Sequence, residues 1–308
     1  MTRVAAIDCG TNSIRLLVAD LDPVTGTAVD VVRRMEIVRL GEGVDRTGRL
    51  APAALERTFI ALGSYAAEIE RLRVDRVRMV ATSATRDASN RADFVSGVER
   101  ILRIEPEVVS GAVEAELSFL GATRELGGSA AESPYLVVDI GGGSTEAVIG
   151  TDTVESSCSV DIGCVRMSER HFLDDPPTAA QVAAAETDIA AALDLVAAVV
   201  PVRTARTLVG VAGTVTTVAA MDLSLPAYDP VAIHGARVSA GQVAELSGRL
   251  LAMGHAERAA IPVMHPGRVD VIAAGALVLR AVVERVGLPS VVASEHDILD
   301  GIAWSLLA

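Results

Sequence analysis

The chain contains no lysine: all 27 of its basic residues are arginine. That excludes a catalytic lysine and a Walker-type phosphate loop, whose lysine is obligatory. Basic charge is also outnumbered, with 40 acidic residues and a net charge of −13. Such a balance argues against non-specific binding to nucleic acid or to an anionic membrane. Aromatic residues make up 3% of the chain, so a core must come from Val, Ala, Leu and Ile. Cysteine is scarce and odd in number: Cys9, Cys158 and Cys164, with no CxxC. These read as reduced thiols of a cytoplasmic protein. No run of about 18 uninterrupted apolar residues is present. The most apolar stretch, 179–200, is broken by Gln181, Glu186, Asp188 and Asp194. The N-terminus lacks the charged and apolar regions of a signal peptide. None of the five histidines forms an i,i+4 pair or an HExxH motif, so zinc is not expected. A serine-hydrolase elbow, GxSxG, is missing as well.

What is present is a large apolar fraction, 50% of 308 residues, and an internal echo. Residues 7–18 read IDCGTNSIRLLV and residues 138–149 read VDIGGGSTEAVI. Laid over each other, Asp8 meets Asp139, Gly10 meets Gly141 and Ser13 meets Ser144. Each reads as strand, tight glycine turn, strand, with an acid at the turn mouth. Self-similarity at half-chain distance predicts two related domains facing each other across a cleft.

The residues between the echoes alternate β-branched runs with helical periodicity. Strands are expected at 29–38, 77–82 and 107–109 in the first half, with helices at 52–73, 90–102 and 111–126. Asn90 is expected to cap the second of these helices. The second half repeats the grammar, with strands at 153–160, 208–211 and 290–293. Its helices are expected from about 178 to 200, from after Thr214 to about 221, and over 239 to 253, 268 to 286 and 298 to 307. The fold class is therefore α/β, with mixed sheets flanked by helices. The turn-rich stretch 127–134 places the domain boundary between 127 and 128, giving domains 1–127 and 128–308. The last helix is expected to be able to pack back on the first domain.

Glycine turns let a backbone approach an anion and aim its N–H groups at it. The candidates for phosphate contact are Gly10, Thr11, Asn12 and Ser13 in the first turn. In the second they are Gly141, Gly142, Gly143, Ser144 and Thr145. A carboxylate beside phosphate needs a cation between them, and Mg²⁺ takes few protein ligands. Asp8 and Asp139 stand at the turn mouths. Arg15, Arg46, Arg86 and Arg91 lie beside turn-like segments and are the arginines expected to offset the acidic balance locally. Glu114 falls in the first turn of a helix, where an acid suits the helix dipole or serves as a base for water. A third glycine turn, 210–214, follows a strand without declaring a role.

Together the stretches DCGTNSIRLLVAD (8–20), ATSATRDASN (81–90), SGAVEAEL (110–117), VVDIGGGSTEAVIG (137–150), GVAGTVTTVAAM (210–221) and GRVDVIAAGALVL (267–279) resemble one family. It is the exopolyphosphatase and guanosine pentaphosphate phosphohydrolase family of the actin-like ATPase superfamily. The resemblance implies two ribonuclease-H-like domains and release of terminal orthophosphate from inorganic polyphosphate. It implies Glu114 as the catalytic base, Asp139 and Glu146 near metal or water with Asp8 a partner, and Arg86 on phosphate. Mg²⁺, with K⁺ a further candidate, and a homodimer follow from the same resemblance. Longer relatives carry extra helical domains, so this shorter chain is expected to favour short polyphosphate. Leu299 stands where relatives often have an arginine. The alternatives left open are a guanosine pentaphosphate 5′-phosphohydrolase, a phosphotransferase, and a non-catalytic sensor of alarmone or polyphosphate.

Overall fold

The computed structural model describes residues 1–124 and 131–307. The chain forms two compact units, residues 1–121 with 298–308, and residues 122–297. The boundary expected between 127 and 128 lies outside the described residues.

The first unit opens with three antiparallel strands, β1 (Thr2–Cys9), β2 (Ser13–Asp22) and β3 (Thr27–Ile37). A short helix α1 (Val44–Thr47) leads into α2 (Pro52–Arg71). Strand β4 (Arg76–Ala81) then lies parallel to β1. After α3 (Ser83–Asp87) and α4 (Arg91–Leu102), β5 (Glu107–Val108) lies parallel to β4 and feeds α5 (Gly111–Thr123). The sheet order is β3-β2-β1-β4-β5.

The second unit repeats the plan. β6 (Tyr135–Ile140), β7 (Thr145–Gly150) and β8 (Val154–Val160) are antiparallel. They are followed by α6 (Cys164–His171), α7 (Ala179–Val199), β9 (Thr207–Val211) and α8 (Ala212–Asp222). Next come α9 (Pro230–Ile233), β10 (Arg237–Ser239), α10 (Ala240–Ala252), α11 (His255–Ala259), α12 (Ile272–Val286) and β11 (Ser290–Ala293). The last helix, α13 (Ile298–Ser305), belongs to the first unit. Strand order β8-β7-β6-β9-β11 matches that of the first sheet, with β10 added antiparallel beyond β11. The internal echo thus extends from two hairpins to two whole sheets.

Side-chain alternation explains why both faces of the first sheet are covered. From β1, Ala5, Ile7 and Cys9 point into a core shared with Leu62, Tyr65, Phe94 and Val98 of α2 and α4. Val4 and Ala6 point to the opposite face, where Leu117 of α5 and Ile298, Leu299 and Ile302 of α13 cover them. Full burial of a side chain like Phe94 contributes about 2–3 kcal/mol. Leu299 is therefore core at its position. Gly301 lets α13 lie directly on α5, since a Cβ there would overlap the Leu117 carbonyl. In the second unit one core joins the strands to α7, α8, α10 and α12.

Two local expectations need correction. Asn90 stands at the N-terminus of α4 but makes no side-chain cap. Its Oδ1 accepts from Leu50 N at 2.8 Å and its Nδ2 donates to Leu50 O at 3.2 Å, so it ties two loops together. Helix α6 has no counterpart among the helices expected from the sequence. No helix among the described residues is long and apolar enough to cross a membrane.

Candidate active site

Because β1, β4 and β5 are parallel, their C-terminal ends share one edge of the first sheet, the usual place for ligands in such folds. Thr82 N donates to Cys9 O (3.2 Å) and Val109 N to Ala81 O (3.1 Å), stitching the three exits together. Gly10–Ser13, Arg86 and Glu114 follow from these exits. In the second unit β6, β9 and β11 are likewise parallel. Their exits carry Gly141–Thr145, the third glycine turn and residues 294–297.

The two hairpin turns share one backbone plan. Gly10 N donates to Ser13 O at 3.0 Å and Gly141 N to Ser144 O at 3.1 Å. In each turn the carbonyls are then held from one side. Thr11 O accepts from Gly41 N at 2.8 Å, and Asn12 O accepts from Val38 N at 3.1 Å and Arg39 N at 2.8 Å. Gly141 O accepts from Cys164 N at 2.9 Å. Gly142 O accepts from Val165 N at 2.9 Å and Arg166 N at 3.1 Å. Gly143 O accepts from Gly163 N at 3.2 Å and from Arg166 Nε at 2.7 Å. These peptides are trans, and in a planar trans peptide N–H and C=O point in opposite directions. The amides of Asn12 and Ser13, and those of Gly142, Gly143 and Ser144, are therefore turned away from the elements that hold their carbonyls. Rows of amides aimed in one direction make an anion cradle.

The carboxylates beside the turns differ. Asp8 pairs in register with Arg15, and Asp139 with Glu146. Arg15 donates Nε (2.9 Å) and Nη2 (2.7 Å) to Asp8 Oδ2. Asp8, expected as a metal partner, and Arg15, expected on phosphate, thus neutralise each other. Asp139 and Glu146 place two buried carboxylates opposite each other on one sheet face, with Cβ atoms roughly 5 Å apart. Ser159 Oγ donates to Glu146 Oε1 at 2.6 Å. Two acids so placed repel unless a cation offsets them, and this donor set suits a hard ion such as Mg²⁺. No group of three or more His, Cys, Asp or Glu residues able to hold a metal is found among the described residues. An ion here would complete its shell with water and phosphate oxygens. Thr145 is fully buried and its hydroxyl donates to Ile162 O at 3.0 Å, so it fastens the hairpin rather than offering a donor to phosphate.

Glu114 is buried in the first turn of α5, and Arg86 reaches it from α3. Arg86 Nη1 donates to Glu114 Oε2 and to Val109 O, both at 3.0 Å. The two residues expected to act separately, one as base and one on phosphate, form one ion pair. Arg46 and Arg91 are exposed. Burial pushes the Cys9 thiol well up, with Asp8 adding to it, and pushes Cys164 up to about 11.

A polar cluster that the sequence did not announce surrounds the third glycine turn. Arg268 fills the space a Gly213 side chain would occupy and donates Nη1 to Thr217 Oγ1 at 2.9 Å. Its guanidinium lies 6.0 Å over the Tyr228 ring. The Tyr228 hydroxyl sits 2.7 Å from Thr216 Oγ1 and 2.6 Å from Glu295 Oε1. Burial and Glu295 push that hydroxyl up to about 12.

Comparison with known proteins identifies the family. A model of the Ppx/GppA phosphatase family matches residues 17–308. Exopolyphosphatase 2 of Mycobacterium tuberculosis is 50% identical over 317 aligned positions, covering 99% of each chain. A guanosine-5'-triphosphate,3'-diphosphate pyrophosphatase of Aeromonas salmonicida is 32% identical over 304 positions, covering 98% of this chain and 59% of its own. Among solved structures, an exopolyphosphatase-like protein gives a TM-score of 0.95 at 44% identity, covering 99% of this chain and 98% of its own. A family member from Aquifex aeolicus gives 0.82 at 30% identity, covering 99% and 97%. By sequence match along nearly its whole length and by fold, the chain belongs to the Ppx/GppA phosphatase family.

Proposed function

We propose that the chain is an exopolyphosphatase, a phosphoanhydride hydrolase that releases terminal orthophosphate from inorganic polyphosphate. The observation that carries this reading is the pair of hairpin turns whose amides are all aimed away from their supports, with buried carboxylates at both mouths. Such amides bind phosphate oxygens without sequence or base recognition, which suits a repetitive polyanion.

Asp139 and Glu146 would hold Mg²⁺. When bound, the ion offsets the charge that gathers on the phosphoryl group during transfer. Glu114, anchored by Arg86, accepts a hydrogen bond from the attacking water and fixes its direction. Amides of the turns then stabilise charge on the departing chain end without reorganising. The reading extends to a cytoplasmic homodimer, on resemblance to the family; sedimentation and cell fractionation test those two parts.

Orthophosphate release from short polyphosphate, long polyphosphate and guanosine pentaphosphate, measured side by side with Mg²⁺, tests the proposal. Release from polyphosphate at the highest kcat/KM is expected. A second reading, hydrolysis of guanosine pentaphosphate, is favoured by the 32% identity to the Aeromonas pyrophosphatase. Release from the nucleotide alone would replace the first reading with the second, and release from neither would overturn both.

A further inference from the structure

Five donors converge on three consecutive carbonyls of the second turn, and four of them are the backbone amides of residues 163–166. The fifth is the Arg166 guanidinium, 2.7 Å from Gly143 O. Arg166 is held inside the protein, with its side chain 12% exposed. The nearby acid Asp161 is 70% exposed, and its carboxylate lies 3.7 Å from Arg166 Nη2, beyond hydrogen-bond length. At the first turn the backbone amides of Gly41, Val38 and Arg39 hold the carbonyls of Thr11 and Asn12. Gly163 completes the arrangement, because a Cβ would overlap the carbonyl carbon and oxygen of Gly142.

We propose that Arg166 is a positioning residue for the second phosphate turn, acting through the Gly143–Ser144 peptide. A cation on the carbonyl side of a peptide polarises it and strengthens its N–H as a donor on the other side. The Ser144 amide is the one so strengthened, and it sits directly before Thr145 and Glu146. The same guanidinium and the amides of α6 fix the direction of the Gly142 and Gly143 amides. Gly163 contributes by permitting the close approach. This inference rests on the exopolyphosphatase reading only for the substrate used to measure its effect; the clamp on the turn is independent of it.

The test compares Arg166→Ala, Arg166→Lys and, as a control on the same helix, Ser168→Ala, whose hydroxyl donates to Asp270 O rather than to the turn. Misplaced binding groups commonly cost on the order of a hundredfold in rate. Arg166→Ala should lower kcat/KM for polyphosphate by roughly that factor, and Arg166→Lys, which keeps a charged donor, should recover at least about tenfold of it. Ser168→Ala should stay near wild type. Amide hydrogen exchange over residues 141–145 should quicken in Arg166→Ala and not in Ser168→Ala, with melting temperatures compared throughout. If Arg166→Ala melts far below wild type, Arg166→Lys decides by the same two readouts. Unchanged exchange, unchanged kcat/KM, or a lysine variant no better than alanine would overturn the positioning role. Absence of polyphosphate hydrolysis by the wild type would refute the functional reading while leaving the exchange result to judge the clamp.

Discussion

The two hairpins share strand pairing, the turn hydrogen bond and carbonyls held from one side, yet the residue facing the aspartate differs. In the first unit it is Arg15, and the pair is electrically closed. In the second it is Glu146, so two carboxylates face each other. The two hairpins share a backbone plan and differ in the charge beside it. On the proposed reading the first turn is a neutral cradle, and the second combines a cradle with an acidic pair.

The largest expected effect of breaking that difference is at Glu146. Glu146→Gln should reduce polyphosphate turnover by two orders of magnitude or more, as loss of an electrostatic group at a reacting centre does. It should also remove the rise in melting temperature expected from Mg²⁺ binding to the folded wild type. Glu114→Gln comes next. Steady-state kinetics should show kcat down roughly a hundredfold with KM little changed, because the residue acts on water rather than on the polymer.

On the first hairpin the expected loss is of stability. Asp8→Asn leaves the Arg15 guanidinium largely buried without its carboxylate, which costs about 2–3 kcal/mol, discounted for its partial exposure. Urea unfolding should show this, whereas Asp139→Asn should cost much less. Equal destabilisation by the two substitutions would erase the distinction drawn between the hairpins.

The smallest effect concerns pH. Burial raises Cys164 from its ordinary value of 9.0 to about 11. A thiol that holds its proton more tightly when folded contributes stability present below pH 9 and lost as pH rises from 9 towards 11. Cys164→Ser should flatten that part of the pH–stability curve, measured by urea unfolding between pH 8 and pH 11.

Much of this was legible in the sequence, for physical reasons that can be named. Hairpins are local: the runs 7–18 and 138–149 carry both strands and the glycine turn, so their pairing needs no distant information. The register was countable too, since residues 8 and 15, like 139 and 146, lie at equal distances from their turns. The Asp8–Arg15 pair could have been read from that spacing. Helix α6 was hidden because it spans 8 residues between a strand and a proline-rich loop, too short for periodicity to announce. Its one signal is Gly163, three residues past the end of β8. Asn90 misled because its side chain can satisfy either a helix end or a neighbouring loop, and Leu50 lies 40 residues away. The Arg268–Tyr228–Glu295 cluster joins three distant segments, which no local pattern connects.

The most direct test of the account is orthophosphate release from inorganic polyphosphate with Mg²⁺ by the wild type, Glu146→Gln and Arg15→Gln, assayed together. The account predicts near-complete loss of release in Glu146→Gln and retention of most of it in Arg15→Gln at a temperature where both are folded. Full activity in Glu146→Gln, or a deeper loss in Arg15→Gln, would contradict it.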